Sequence, residues 1–188
     1  MKVRWPPPPL GLGTPFNLAL CSAESRLLVR RSWWLVPVLG FVTPFIMLAI
    51  DFVLFGGASL LRVRELGSEP LPFRLLVVAY SGVTEELIFR LLLSTLVAWL
   101  VYVVLARLGP LRKPLAQWFG ILLAAFMFGL AHVGNLPEVE HPVLRAVTVN
   151  GVAGVILGWI YWWRGLELSM LTHMAAIMVL YIVVPPFL

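Results

Sequence analysis

The chain has 188 residues, 61% of them hydrophobic and 12% charged, with a mean hydropathy of +0.95. A soluble domain is about 45–50% apolar and about 25% charged; one of 21.0 kDa has too little interior to hide so much apolar surface, so disordered, fibrous and nucleic-acid-binding classes are excluded. The net charge of +5 comes from 12 Arg and 2 Lys against 9 acids without a contiguous basic patch, which suits anionic lipid headgroups, and the single Cys21 excludes an internal disulfide or thiolate metal cluster.

Residues 1–32 form a Pro-rich leader followed by an interfacial segment; the run MKVRWPPPPLGLGTPF is too rich in Pro and Gly for a helix. A Pro run where an apolar core should sit argues against a cleaved signal peptide. Trp33 and Trp34 mark a headgroup belt. The transmembrane domain is expected over 33–188. A span needs about 20 mostly apolar residues, which 33–55 supplies; Pro37 and Pro44 are expected to kink it, with Asp51 as a helix-end residue. Residues 56–70 read as a polar loop. Residues 71–108 are apolar apart from Arg74, Glu85, Glu86, Arg90 and Arg107. At 1.5 Å per residue that run reaches roughly 57 Å, so it is either two helices meeting near Arg90 or one long helix leaving the membrane. Segments 115–134, 143–163 and 168–187 complete an all-α, polytopic bundle of five to six spans. With five spans the N-terminal side holds nine Lys/Arg against four, placing the N-terminus in the cytoplasm by the positive-inside rule; six spans divide them evenly.

Ionisable groups within a span cost about 2.5–3.5 kcal/mol each on insertion scales and are functional by default. Three places carry them. In Ser81-Gly-Val-Thr-Glu85-Glu86-Leu-Ile-Phe-Arg90, Glu86 and Arg90 are i,i+4 neighbours able to pair. Glu85 points about 100° away from Glu86 and has no partner in its own helix, which leaves it available as a general base. Phe128 and His132 share the C-terminal face of the 115–134 helix, where a lone His serves equally as a cap. His173 lies early in the last helix with Ser169 on the same face, and alone would serve as an interhelical donor. Two of the three His thus fall within spans, and the third, His141, lies in a loop with Glu138 and Glu140. Converging in one buried pocket, a carboxylate and two imidazoles can polarise a water and stabilise an oxyanion, or hold zinc.

The sequence EExxxR (Glu85, Glu86, Arg90), then FxxxH (Phe128, His132), then a further His in a late helix resembles the CPBP family. These are the CAAX-protease and bacteriocin-processing intramembrane endopeptidases, also called the Abi family. The resemblance covers roughly 71–187. It implies a glutamate-dependent peptidase in which Glu85 activates water, His132 helps to hold it and His173 stabilises the oxyanion. Glu86 and Arg90 would be structural or support Glu85. The family often carries Asn or another polar residue four positions after its third His; here that position is Ile177, which cannot donate. Asn150 is the candidate substitute, and with Gly154 and Gly158 at i, i+4, i+8 its helix face can pack closely with Asn150 turned inward. Its plainer reading is an interfacial helix-start residue. Trp159, Tyr161, Trp162 and Trp163 read as an interfacial aromatic belt.

The reading is an intramembrane endopeptidase that hydrolyses a peptide bond of a membrane-tethered protein or peptide precursor, without a metal. The partners expected are that precursor and the lipid bilayer, with neither nucleic acid nor nucleotide, since no phosphate loop is present. The place expected is a bacterial cytoplasmic membrane. Two alternatives share the residues: a zinc metalloprotease with Glu85, His132 and His173 as ligands, and a non-catalytic immunity or scaffolding protein.

Overall fold

In lipid, each backbone N–H and C=O must find its partner within the segment, so the apolar runs of this chain become helices. The computed structural model describes residues 33–135 and 139–188; the whole leader and interfacial segment expected over 1–32, and Glu138, lie outside them. Six helices follow: α1 (Leu35–Phe55) and α2 (Ser59–Ser68), then α3 (Leu71–Val104), α4 (Arg112–Asn135, its last turn 3-10), α5 (Pro142–Arg164) and α6 (Leu166–Phe187). Five of them, all but α2, are long and apolar enough to cross a membrane. There is no strand among the described residues, and the bundle has five candidate spans rather than six.

One sequence expectation is corrected here, and one open alternative is decided. The stretch 56–70 is not simply a loop. Between the Gly56–Gly57 reversal, where both φ angles are positive, and Pro70, nothing from Ser59 to Leu66 breaks a helix, and the chain forms α2. The 71–108 run is one helix, 34 residues long or about 51 Å at 1.5 Å per residue, longer than a ~30 Å bilayer core. Its middle departs from α geometry. Ser81–Glu85 and Leu87–Ser94 are π-helical, a form that appears mostly as short insertions and often at functional sites.

Helices α3, α4, α5 and α6 enclose a common interior, with α1 against α5 and α6 on the outside. Small residues permit the close approaches. A Cβ on Gly154 of α5 would stand 2.8 Å from the Ala125 Cα of α4, and one on Gly120 of α4 would stand 2.5 Å from the Ser94 carbonyl oxygen of α3. The helix face carrying Asn150, Gly154 and Gly158 therefore packs closely, as its spacing predicts. Apolar side chains point outward, among them Phe52, Leu76, Leu92 and Val104, while Asp51, Glu86, Arg90, Ser94, Ser169 and Thr172 are wholly buried. This inversion is what a lipid solvent imposes.

The aromatic group of α5 divides. Trp159 stacks on Trp163, half-exposed as a belt requires, and Trp163 meets Trp118 of α4. Tyr161 and Trp162 are instead core residues. Trp162 Nε1 donates to Ser94 Oγ at 3.0 Å, and the Tyr161 hydroxyl lies 2.7 Å from Thr95 Oγ1. Thr95 in turn donates to the Arg90 carbonyl five residues back, a bond of π register.

Candidate active site

The π-helical stretch of α3 presents Glu85 and Glu86 in different directions, and each meets a different set of partners. Glu86 turns into the packed interior. Its Oε1 accepts from His173 Nδ1 of α6 at 3.0 Å, and its Oε2 accepts from Ser169 Oγ at 2.5 Å. Arg90 Nε lies 3.4 Å from the same Oε2, one turn along α3, with both side chains buried. Ser169 also reaches the Leu157 carbonyl oxygen at 2.9 Å, which ties the cluster to α5. Pairing of Glu86 with Arg90 is thus as the spacing predicts. The bond to His173 was not legible, since no local pattern joins residues 87 positions apart.

Glu85 turns into a cavity. Its side chain is 19% exposed; Oε2 lies 4.0 Å from His132 Nε2 and 3.8 Å from His173 Nε2. No hydrogen bond reaches that oxygen. A water making two hydrogen bonds of about 2.8 Å spans such a separation comfortably. The structure therefore brings together Glu85, His132 and His173 from α3, α4 and α6.

The role of Nδ1 in each imidazole follows from its own contact. His132 caps α4, as a His at a helix C-terminus does, and its Nδ1 lies 2.7 Å from the Phe128 carbonyl oxygen. A carbonyl only accepts, so Nδ1 carries the hydrogen and Nε2 faces Glu85. His173 Nδ1 donates to the Glu86 carboxylate in the same way, again leaving Nε2 toward Glu85. Phe128 braces both rings: its centroid is 4.6 Å from that of His132 and 5.9 Å from that of His173. Arg90 lies 4.8 Å over its face, in cation–π range.

The cavity has a volume of about 540 Å³ and is lined from α1 through α6, within the range of ligand sites. Asn150 lines it and donates from Nδ2 to the Ala146 carbonyl oxygen at 3.2 Å, which leaves its second N–H unassigned. It lines the chamber from within α5 rather than from the helix start. Gln117, near the start of α4, is a further buried amide but does not line the chamber. Ile177 lines the chamber too, so the position four residues after His173 faces the site with a side chain that cannot donate. Asp51 is no mere helix-end residue: it is buried and paired with Arg145 Nε at 2.6 Å.

The donor set suits zinc in kind, being two imidazoles and a carboxylate. Its spacing does not. Four ligands about 2.1 Å from one ion lie roughly 3.4 Å apart, against 3.8 and 4.0 Å for Glu85 and the imidazoles. Among the described residues no three His, Cys, Asp or Glu side chains group closely enough to hold a metal.

The fold and chamber define a class: a multi-pass helical membrane protein with a carboxylate–imidazole cluster enclosed between its spans. The family model described as type II CAAX prenyl endopeptidase Rce1-like matches residues 67–179, and the chain belongs to that family of membrane endopeptidases. Comparisons with curated proteins and with solved structures give no match.

Proposed function

We propose that this protein hydrolyses a peptide bond of a membrane-tethered protein or peptide precursor, using a water activated by Glu85. The observation that carries this reading is the placement of Glu85 Oε2 within one water of both imidazole Nε2 atoms. A water seated there gives one hydrogen to Glu85 and the other to His132 Nε2, which directs its lone pairs into the chamber. As Glu85 takes the first proton, the water oxygen bonds to the substrate carbonyl carbon and the carbonyl electrons move onto oxygen. His173, protonated at Nε2 and held through Nδ1 by Glu86, donates to that oxyanion; with Arg90 balancing Glu86, this proton also offsets the Glu85 charge. The free N–H of Asn150 is the second donor, in the place that Ile177 cannot fill. Collapse of the tetrahedral species breaks the C–N bond, and Glu85 returns its proton to the leaving amine. General-base action of this kind contributes about 10²–10⁴-fold and one oxyanion donor about 10²–10³-fold.

Exclusion of bulk water by the surrounding spans strengthens these interactions. The apolar chamber wall also suits a substrate that arrives with a lipid anchor. The family description names a prenyl endopeptidase, so an isoprenoid is one such anchor. The test is cleavage of a lipid-anchored fluorogenic peptide by the purified chain in nanodiscs, run in ¹⁸O-water with chelator present. Cleavage with one ¹⁸O in the new carboxylate is expected. No cleavage of any anchored peptide would favour a non-catalytic role, and activity that chelator abolishes and zinc restores would move the chemistry to a metal.

A further inference from the structure

Helix α2 lies along the chamber, and its composition on that side is unusual. Ser59, Arg62, Val63 and Leu66 fall at i, i+3, i+4 and i+7, one face of a helix, and all four line the cavity. Arg64 and Glu65, off that stripe, are exposed. Apolar side chains from other helices, including Phe73, Val77 and Leu180, line the same space. A guanidinium therefore stands on a face where a neighbouring apolar wall calls for an apolar residue.

The two arginines that line the chamber differ in their commitments. Arg145 is held by Asp51 at 2.6 Å, with side chains 5% and 1% exposed, and it donates to Ser59 Oγ as well. Asp51 Oδ2 also accepts the Ser59 backbone N–H at 2.7 Å. That buried cluster fixes the start of α2 against α1 and α5 and uses up the charge of Arg145. Arg62 meets only the exposed Glu65 at 3.2 Å, with side chains 40% and 67% exposed. Ion pairs of that sort contribute little and exchange readily. Among the described residues, Arg62 is thus the chamber-lining arginine without a buried counter-charge. Arg62, Tyr181 and Glu85 all line this one cavity.

We infer that Arg62 receives a carboxylate carried by the substrate, so that the chamber selects apolar peptide segments bearing an acidic group to one side of the bond cleaved. The inference deepens the proposed hydrolysis and rests on it for the word substrate. A guanidinium fork matches a carboxylate in two parallel hydrogen bonds, and Glu65 shows that the side chain already accepts that partner. The carboxylate is either the free C-terminus or an acidic side chain.

The test is a binding experiment with the full chain carrying Glu85→Gln, in phosphatidylcholine nanodiscs, so that no peptide is consumed. Three pools of apolar hexapeptides are offered: one with a free C-terminus, one amidated with a single Glu, and one amidated without an acid. Empty nanodiscs give the lipid background. Retention of at least one acid-bearing pool about tenfold above the acid-free pool is expected, the effect of one charge-assisted hydrogen bond. The preferred pool identifies the source of the carboxylate. Adding Arg62→Gln should abolish the preference, and Arg62→Lys should keep part of it. Equal retention of the three pools, or a preference that survives Arg62→Gln, overturns the inference. Hydrolysis is scored separately with Glu85 intact: carboxylate-selective binding without cleavage sinks the peptidase reading alone, and cleavage without selectivity sinks this one alone.

Discussion

Glu86→Gln separates two things that one carboxylate does. Glu86 and Arg90 are both 0% exposed, and no hydrogen bond reaches any of the three guanidinium nitrogens; the ion pair with Glu86 and the Phe128 ring are the contacts that hold it. Neutralising Glu86 leaves that charge buried and uncompensated, a change that costs about 3–5 kcal/mol. His173 also loses its anionic partner. We predict a loss of about that size in reversible detergent unfolding, together with at least about a tenfold loss of peptide hydrolysis. The double variant Glu86→Gln/Arg90→Leu removes the orphaned charge and should recover at least half of the stability, while hydrolysis stays low because His173 Nδ1 still faces a neutral group. If the double variant regains activity along with stability, Glu86 serves only as the counter-ion of Arg90. If Glu86→Gln is as stable as wild type, the buried pair is not as described.

Three further predictions use other parts of the structure. Gly120→Ala places a Cβ 2.5 Å from the backbone oxygen of Ser94; neither backbone can yield, and overpacking of this kind costs about 1–3 kcal/mol or more, readable in the same unfolding assay. Asp51→Asn strands the buried Arg145 and should lose about 3–5 kcal/mol, most of which returns in Asp51→Asn/Arg145→Met; an unchanged unfolding curve would contradict the pairing. His132→Ala, at the end of α4, should cost only about 1 kcal/mol for the lost bond to the Phe128 carbonyl, yet lower kcat about 10²-fold through a misplaced water.

Much of this architecture is written in local pattern. Apolar runs of span length give five helices, and the ionisable residues interrupting them mark the chamber, because lipid makes such residues expensive unless they meet. Glu85, His132 and His173 do meet, and Phe128 braces them from the position the FxxxH spacing assigns. What was hidden depends on contacts between distant segments. Asp51 reads as an ordinary helix-end acid until Arg145, 94 positions on in the numbering, is seen beside it. Trp162 and Tyr161 resemble belt aromatics in composition, and only the polar partners Ser94 and Thr95 on α3 reveal them as core. The segment 56–70 was obscured by its charge: Arg62, Arg64 and Glu65 read as loop, whereas the stripe Ser59, Arg62, Val63, Leu66 has helical period.

The measurement that bears most directly on the account is kcat for Glu85→Gln beside an unfolding curve for the same protein. Because Glu85 Oε2 makes no hydrogen bond within the fold, the amide should leave stability within about 1 kcal/mol, the usual worth of one such bond, while hydrolysis of an anchored peptide falls by about 10²–10⁴-fold or more. A folded variant that still cleaves within a few-fold of wild type would show that the water is activated by some other group.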